Sequence, residues 1–279
     1  MTNTPVKYQT ADIKDVQIGE LLLGKNPLAE EVDDFVPEII PSEWRLLYLR
    51  MDKANGKRLE MQFLQPLDWM IANGAELGAS IDLDLPEFGA QGPAKVVSIE
   101  ACPLIKSGSG NVVTGKYIHE SDGNLIDLKI EGQQEATTVT ANHRYWSADR
   151  NGFVEAGHLK PGEQVQTLAG LRQVASVVPR TGNETVYNLE VQGEHVYLVG
   201  SLGALVHNNC FKGKAYKDVD WEHIFERHHI DGAIAKQRNR PDEIISGTQD
   251  EIKKKVLNSW KNRKKVHTQV LPEGEKRIR

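Results

Sequence analysis

Hydrophobic and polar positions along this chain follow two different periods. From Trp44 to Val199 the apolar residues fall in short runs separated by Gly, Asn and Asp, the signature of successive β-strands and turns. Trp44 to Met51 and Arg58 to Leu64 read as two strands joined at Asn55-Gly56, a strong hairpin signal. Further strands are expected over 95–99, 111–118, 125–130, 136–140, 171–178, 185–191 and 195–199. Before them, residues 12–24 read as a turn entering a short strand. The acidic, Pro-containing stretch from Asn26 to Ser42 reads as an exposed loop. Pro66 to Ala75 is expected to form one short helix ending at Asn73-Gly74.

After Cys210 the period lengthens. Trp221, Ile224, Phe225 and His228 fall on one helical face, with Asp218 or Asp220 available as the N-cap. A second helix is expected from Thr248 to Trp260, capped by Thr248 or Ser246 and striped by Ile252, Val256, Leu257 and Trp260. Residues 265–271 alternate like a strand. The pattern therefore predicts a mainly β domain followed by a small α+β unit.

Composition sharpens that division. With 279 residues, 39% hydrophobic content and a mean hydropathy of -0.47, the chain has the make-up of a globular protein with room for two domains. No apolar run approaches the ~20 residues of a membrane span, and Met1 to Pro5 does not begin a signal peptide. The net charge of -5 hides an asymmetry. Residues 210–279 hold 17 Lys and Arg against 11 Asp and Glu, a net of +6, while residues 1–209 hold 17 against 28, a net of -11. A basic module joined to an acidic one implies that only the C-terminal part meets a polyanion. Two cysteines, Cys102 and Cys210, define neither a disulfide framework nor a CxxC metal site.

The boundary itself carries chemistry. Val206-His207-Asn208-Asn209-Cys210 pairs an imidazole with an asparagine, whose side-chain amide can attack its own backbone carbonyl, close a succinimide and cut the chain. Thr140 and His143 place a hydroxyl and an imidazole three apart on a strand end or tight turn, a spacing that can grip and polarise one peptide bond. His195 precedes His207 by twelve residues in an adjacent strand-like run and supplies a second imidazole.

Those residues carry a resemblance. Residues 1–208 resemble a Hint domain, the Hedgehog/intein fold, of the kind that precedes toxin modules in bacterial polymorphic toxins. The matching stretches are Ile13 to Leu22, Thr137 to Trp146, Phe153 to Glu163 and Val186 to Gly200, continuing to Val206-His207-Asn208. Residues 25–110 match weakly and read as an insertion or a divergent segment. The resemblance implies that Thr140 and His143 hold an upstream scissile bond, while His195 and His207 assist cyclisation of Asn208. One departure is clear. Family members start with a Cys or Ser nucleophile before a stretch matching Thr4-Pro5-Val6, whereas this sequence starts at Met1 without one, so no N–S acyl shift is expected there. Asn209 stands where splicing inteins use Cys, Ser or Thr. Both departures argue against splicing and leave one-ended cleavage after Asn208. Cyclisation one residue later, at Asn209 with Cys210 following, is the minor alternative.

The basic tail suits nuclease chemistry. His223, His228 and His229 lie within seven residues, and His223 and Arg227 share a helical face. An imidazole pair can deprotonate a ribose 2′-OH and protonate the leaving 5′-oxygen while a cation stabilises the phosphorane. Lys236 and His267 are further candidates for that chemistry. Arg238, Arg240, Lys253, Lys254 and Thr268 are candidates for holding the nucleic acid, and Thr248 also could bond a phosphate. Residues 211–270 resemble toxin domains of the barnase/EndoU/colicin-like ribonuclease group, whose first helix often carries a His-Ile-x-x-Arg-His stretch, here His223 to His228. The resemblance implies metal-independent cleavage of RNA with no cofactor, a cognate immunity protein as partner, and the N-terminal remainder of a larger secreted effector that acts in a target-cell cytoplasm. Two alternatives stay open. His228-His229-Ile230 with Asn258 and His267 also fits an HNH-like, metal-dependent DNase, and the tail could be non-enzymatic cargo. The expected domains are 1–208 for self-processing and 209–279 for the nuclease.

Overall fold

A computed structural model describes residues 9–33, 36–208, 248, 251, 268–270 and 276–278 of the chain. The chain divides into two compact units, residues 1–65 with 74–213 and residues 66–73 with 214–279. In chain order the first six strands are β1 (Leu21–Leu22), β2 (Trp44–Asp52), β3 (Arg58–Pro66), β4 (Ser80–Leu85), β5 (Ala90–Ala101) and β6 (Asn111–Glu120). Then come β7 (Leu125–Ile130), β8 (Thr137–Thr140), β9 (Arg144–Ser147), β10 (Gly152–Glu155) and β11 (Gln164–Thr167). The run closes with β12 (Gly170–Arg180), β13 (Thr185–Val191), β14 (Val196–Val199) and β15 (Ala204–His207). Two antiparallel sheets result. One runs β1-β6-β3-β2-β5-β4 with β13 also on β6; the other runs β10-β9-β15-β11-β12-β7-β8 with β14 on β15. The expectation of a mainly β first domain is met.

Local sequence explains most of these strands. The β2–β3 hairpin turns at Asn55-Gly56, where Gly56 takes φ +78° and the Asn55 side chain accepts the Lys57 N–H at 3.0 Å. Along β4, Ile81, Leu83 and Leu85 are buried while Ser80, Asp82 and Asp84 are exposed, the two-residue period of a half-buried strand. The two sheets share one core. Val113, Leu189 and Val191 of the first meet Leu128, Tyr145, Val165, Val174, Tyr197 and Val206 of the second. Each fully buried aliphatic side chain of this kind stabilises by roughly 1.5–3 kcal/mol.

One irregularity matters for the site. β13 pairs with β6 in regular register from Thr185↔Glu120 to Glu190↔Gly115, then shifts before Val191↔Val113. A bulge of this sort re-aims a side chain. Val191 stays in the core, and Glu190 is buried beside it. Gly115 makes room, since a Cβ there would stand 2.6 Å from the Glu190 Cβ.

In the second unit, helix α1 (Leu67–Ala72) forms within the expected 66–75 stretch and stops at Asn73, whose N–H returns to the Trp69 carbonyl. Thr248 and Glu251 bond reciprocally, the Thr248 N–H to Glu251 Oε2 at 2.7 Å and the Glu251 N–H to Thr248 Oγ1 at 3.3 Å. This is a capping box at Thr248, one of the two caps expected there. Strand β16 (Thr268–Val270) falls inside the 265–271 stretch read as a strand and pairs antiparallel with β17 (Lys276–Ile278), which was not expected. Among the described residues, no helix is long and apolar enough to cross a membrane.

Candidate active site

Asn208 follows directly on β15, and its position is set by the strands around it. Its N–H donates to the His195 carbonyl at 3.0 Å, and the residue is 0% exposed. Its side chain is gripped at both ends. Nδ2 donates to the Leu189 carbonyl at 3.1 Å and faces Glu190 Oε2 at 3.4 Å, while Oδ1 accepts from Asn188 Nδ2 at 3.0 Å. The orientation of Asn188 is itself fixed. Its Oδ1 accepts the Leu189 N–H at 2.8 Å and the Tyr197 hydroxyl at 2.7 Å, leaving Nδ2 to donate to Glu87 Oε1 at 2.8 Å and to Asn208. The Leu189 N–H and the Glu87 carboxylate leave one assignment for the Asn188 amide, and the Asn188 Nδ2 with the Leu189 carbonyl then leaves one for Asn208.

The two histidines expected beside Asn208 are both present and buried. His195 sits in the turn between β13 and β14 with φ +55°, in the left-handed region that costs a non-glycine residue about 1–2 kcal/mol. That backbone returns its N–H to the Val191 carbonyl at 3.1 Å and turns its ring onto Glu190, with Nδ1 2.6 Å from Oε1. Nε2 lies 3.1 Å from Asp33 Oδ2, close enough for an ion pair but outside hydrogen-bond geometry. Burial disfavours the charged ring, yet Glu190 and Asp33 outweigh it and hold the His195 pKa above the ordinary value.

His207 behaves in the opposite way. Its ring packs against Phe153 with centroids 4.7 Å apart, and its Nε2 lies 3.1 Å from Glu31 Oε2. Burial first, then the electrostatic influence of His195, Arg144 and His143, brings its pKa down to about 4. The ring is therefore neutral at pH 7, and the Glu31 contact is that of a neutral imidazole with a carboxylate, not a salt bridge. Nδ1 has no hydrogen-bond partner. A neutral ring can take or relay a proton.

Thr140 and His143 form the expected tight turn at the end of β8, with the His143 N–H on the Thr140 carbonyl at 3.0 Å. Burial alone brings the His143 pKa to about 4. Its ring meets Tyr145 and Tyr197 at 6.0 and 6.4 Å between centroids, and its Nδ1 is 3.9 Å from Glu87 Oε1. Glu87 thus lies between the Thr140–His143 turn and Asn188, and its carbonyl also accepts from Asn142 at 2.7 Å. The upstream bond assigned to Thr140 and His143 lies outside the described residues.

The stretch from Asn26 to Ser42 needs correction. It is not simply an exposed loop. Asn26 is buried, its N–H on Glu194 Oε2 at 2.6 Å and its Nδ2 on the Glu194 carbonyl at 3.1 Å, and the Asp33 N–H bonds the Gly193 carbonyl at 3.0 Å. Between these anchors a 3-10 turn over Ala29–Glu31 brings Glu31 to His207, and Asp33 follows at His195. Acidity suggested solvation; the buried imidazoles 160 or more residues away, which only the fold brings near, supply the reason for it. Sequence reading missed Glu31, Asp33, Glu87, Asn188 and Glu190. The sole local signal for the last was a charged residue interrupting the apolar alternation of Val186 to Val191. Among the described residues, no group of three or more His, Cys, Asp and Glu side chains is arranged to hold a metal ion.

His223, Arg227, His228, Lys236, Arg238, Arg240, Lys253, Lys254 and His267 lie outside the described residues, as do Asn209 and Cys210. Thr268 opens β16, described by its backbone.

Fold and site together define a mainly β unit closed around a fully buried asparagine at the end of its last strand. No protein-family model and no curated protein matches the chain. Among solved structures, it is similar to a bacterial intein-like domain from Clostridium thermocellum, at 22% identity and a TM-score of 0.33, over 60% of this chain and 99% of that one. It is also similar to the TvoVMA intein, at 16% identity and a TM-score of 0.35, over 59% and 98%. A DnaB intein from Synechocystis sp. PCC 6803 matches at 18% identity and a TM-score of 0.30, over 60% and 99%.

Proposed function

We infer that residues 1–208 are a self-processing Hint domain that cuts the chain after Asn208, and that the segment from Asn209 onward is the cargo so released. The observation that carries this reading is the grip on Asn208. A residue wholly removed from water, with Nδ2 aimed at a carboxylate and Oδ1 held by an amide N–H, is prepared for a reaction of its side chain. The step conserves atoms: Nδ2 bonds to the Asn208 backbone carbonyl carbon, the bond from that carbon to the Asn209 nitrogen breaks, and one proton passes from Nδ2 to the departing amine. Incubation of the purified chain followed by mass spectrometry tests it. A fragment beginning at Asn209 is expected, and Asn208→Ala abolishes it. A chain that stays intact for days overturns the reading.

For the cargo we propose a metal-independent ribonuclease delivered as the C-terminal end of a secreted bacterial effector. Its net charge of +6 over residues 210–279 favours a polyanionic substrate and an acidic immunity protein as partner. Its His223-to-His228 stretch supplies the acid–base pair. RNA cleavage that persists in EDTA, and that is lost by ~100-fold or more in His223→Ala and His228→Ala, is the expected result. Cleavage of DNA that EDTA abolishes would favour the HNH-like reading instead, and no cleavage of either nucleic acid would favour inert cargo.

A further inference from the structure

We propose that Glu190 is the base that deprotonates the Asn208 side-chain amide, an inference that rests on the reading of Asn208 as the cyclising residue. An amide nitrogen shares its lone pair with the adjacent carbonyl and attacks only after losing a proton or its conjugation. A base must therefore touch Nδ2. Two acceptors among the described residues do so. The Leu189 carbonyl, at 3.1 Å, is no base; the Glu190 carboxylate, at 3.4 Å, is one. Neither His195 nor His207 accepts from Nδ2, and the His207 Nδ1 meets no hydrogen-bond partner at all. His195 turns Nδ1 to Glu190 and Nε2 to Asp33, and His207 turns Nε2 to Glu31.

The surroundings of Glu190 fit that role. One oxygen is held by His195 at 2.6 Å, which leaves the other facing Asn208. The β13 bulge and the Cβ-free Gly115 opposite are what admit a carboxylate at this buried position. As Nδ2 yields its proton to Glu190 Oε2, negative charge moves onto Asn208 Oδ1, where the Asn188 N–H already points. The amide nitrogen then attacks the Asn208 carbonyl carbon and closes a five-membered ring. The bond to the Asn209 nitrogen breaks, and that nitrogen leaves as an amine with the proton Glu190 had accepted. No water, oxidant or further reactant enters the balance.

The experiment follows appearance of the fragment beginning at Asn209 in the full-length chain and in Glu190→Gln, Glu190→Asp and Asn208→Ala, with thermal melting of each. Glu190→Gln preserves shape and removes the base, so its rate is expected to fall at least ~100-fold while its melting stays near that of the parent. Glu190→Asp restores a carboxylate and is expected to regain part of the rate, which a purely structural role would not predict. Cleavage of Glu190→Gln at the parental rate, with Asn208→Ala inert, overturns the role of Glu190 and leaves the Asn208 reading standing. So does a Glu190→Gln defect accompanied by a collapse in melting that Glu190→Asp repairs without repairing the rate. Cleavage that persists in Asn208→Ala, or a parent that never cleaves, overturns both.

Discussion

The three buried imidazoles of this site differ in what their neighbours ask of them. His143 and His207 are held neutral, with pKa values near 4 against an ordinary 6.5. His195 is pushed the other way by Glu190 and Asp33 against the opposing effect of burial. The sign of the pH dependence follows. Between about pH 4 and 6.5 the unfolded chain takes up protons at His143 and His207 that the folded chain refuses, so stability falls as the solution is acidified through that window. Each ring contributes roughly 2 kcal/mol of that loss by pH 5. The stabilisation from His195 is present below its unfolded value and is lost as pH rises through its higher folded one. Urea unfolding at pH 7 and pH 5 is therefore expected to show a loss that the double variant His143→Gln/His207→Gln largely removes. An unchanged slope in that variant would mean that other groups govern acid sensitivity.

At the scale of elements, the segment from Asn26 to Asp33 behaves as a clasp on the turn that carries His195. Anchors at Asn26 and Asp33, with the carboxylates of Glu31 and Asp33 turned to the imidazoles, make it part of the site. Asp33→Asn is expected to lower the His195 titration midpoint, read from the ring signals by NMR, because one of the carboxylates favouring the cation is gone; an unmoved midpoint would show Asp33 to be a bystander. This clasp was the least legible element in the sequence. Strands such as Leu125–Ile130 and Thr185–Val191 were readable within their bounds because apolar and turn residues alternate locally. The four-residue β9 and β15 offered no alternation: β15 is buried at every position, and an all-buried strand that short has no period to read. β4 did alternate and was still passed over amid its acidic residues. His195, His207 and Asn208 were legible because they are sequence neighbours in pattern. Glu31, Asp33 and Glu87 were not, since tertiary contact alone brings them there.

For the whole molecule, the shared core matters more than either sheet. Leu128, fully buried, belongs to the same cluster as Leu189 and Val191 on the opposite sheet. Leu128→Ala is expected to cost about 2–5 kcal/mol and to lower the melting of both sheets together in a single transition. Two separated transitions in the 1–208 fragment would show instead that the sheets stand alone.

β15 lies inside its sheet, hydrogen-bonded to β14 on one side and to β9 and β11 on the other, with Asn208 tied to His195 just beyond it. A cut after Asn208 therefore breaks no rung of that ladder, and the newly made end stays seated like a keystone. The reaction proposed for Asn208 would consume its own attacking group, so each molecule would act once and leave no turnover to inhibit. What would then drive the parts asunder is dilution, because a released amine wanders off from the ring it could reopen at whatever concentration the medium allows. Such a device would be a single-use fuse, tuned by when its one reaction fires.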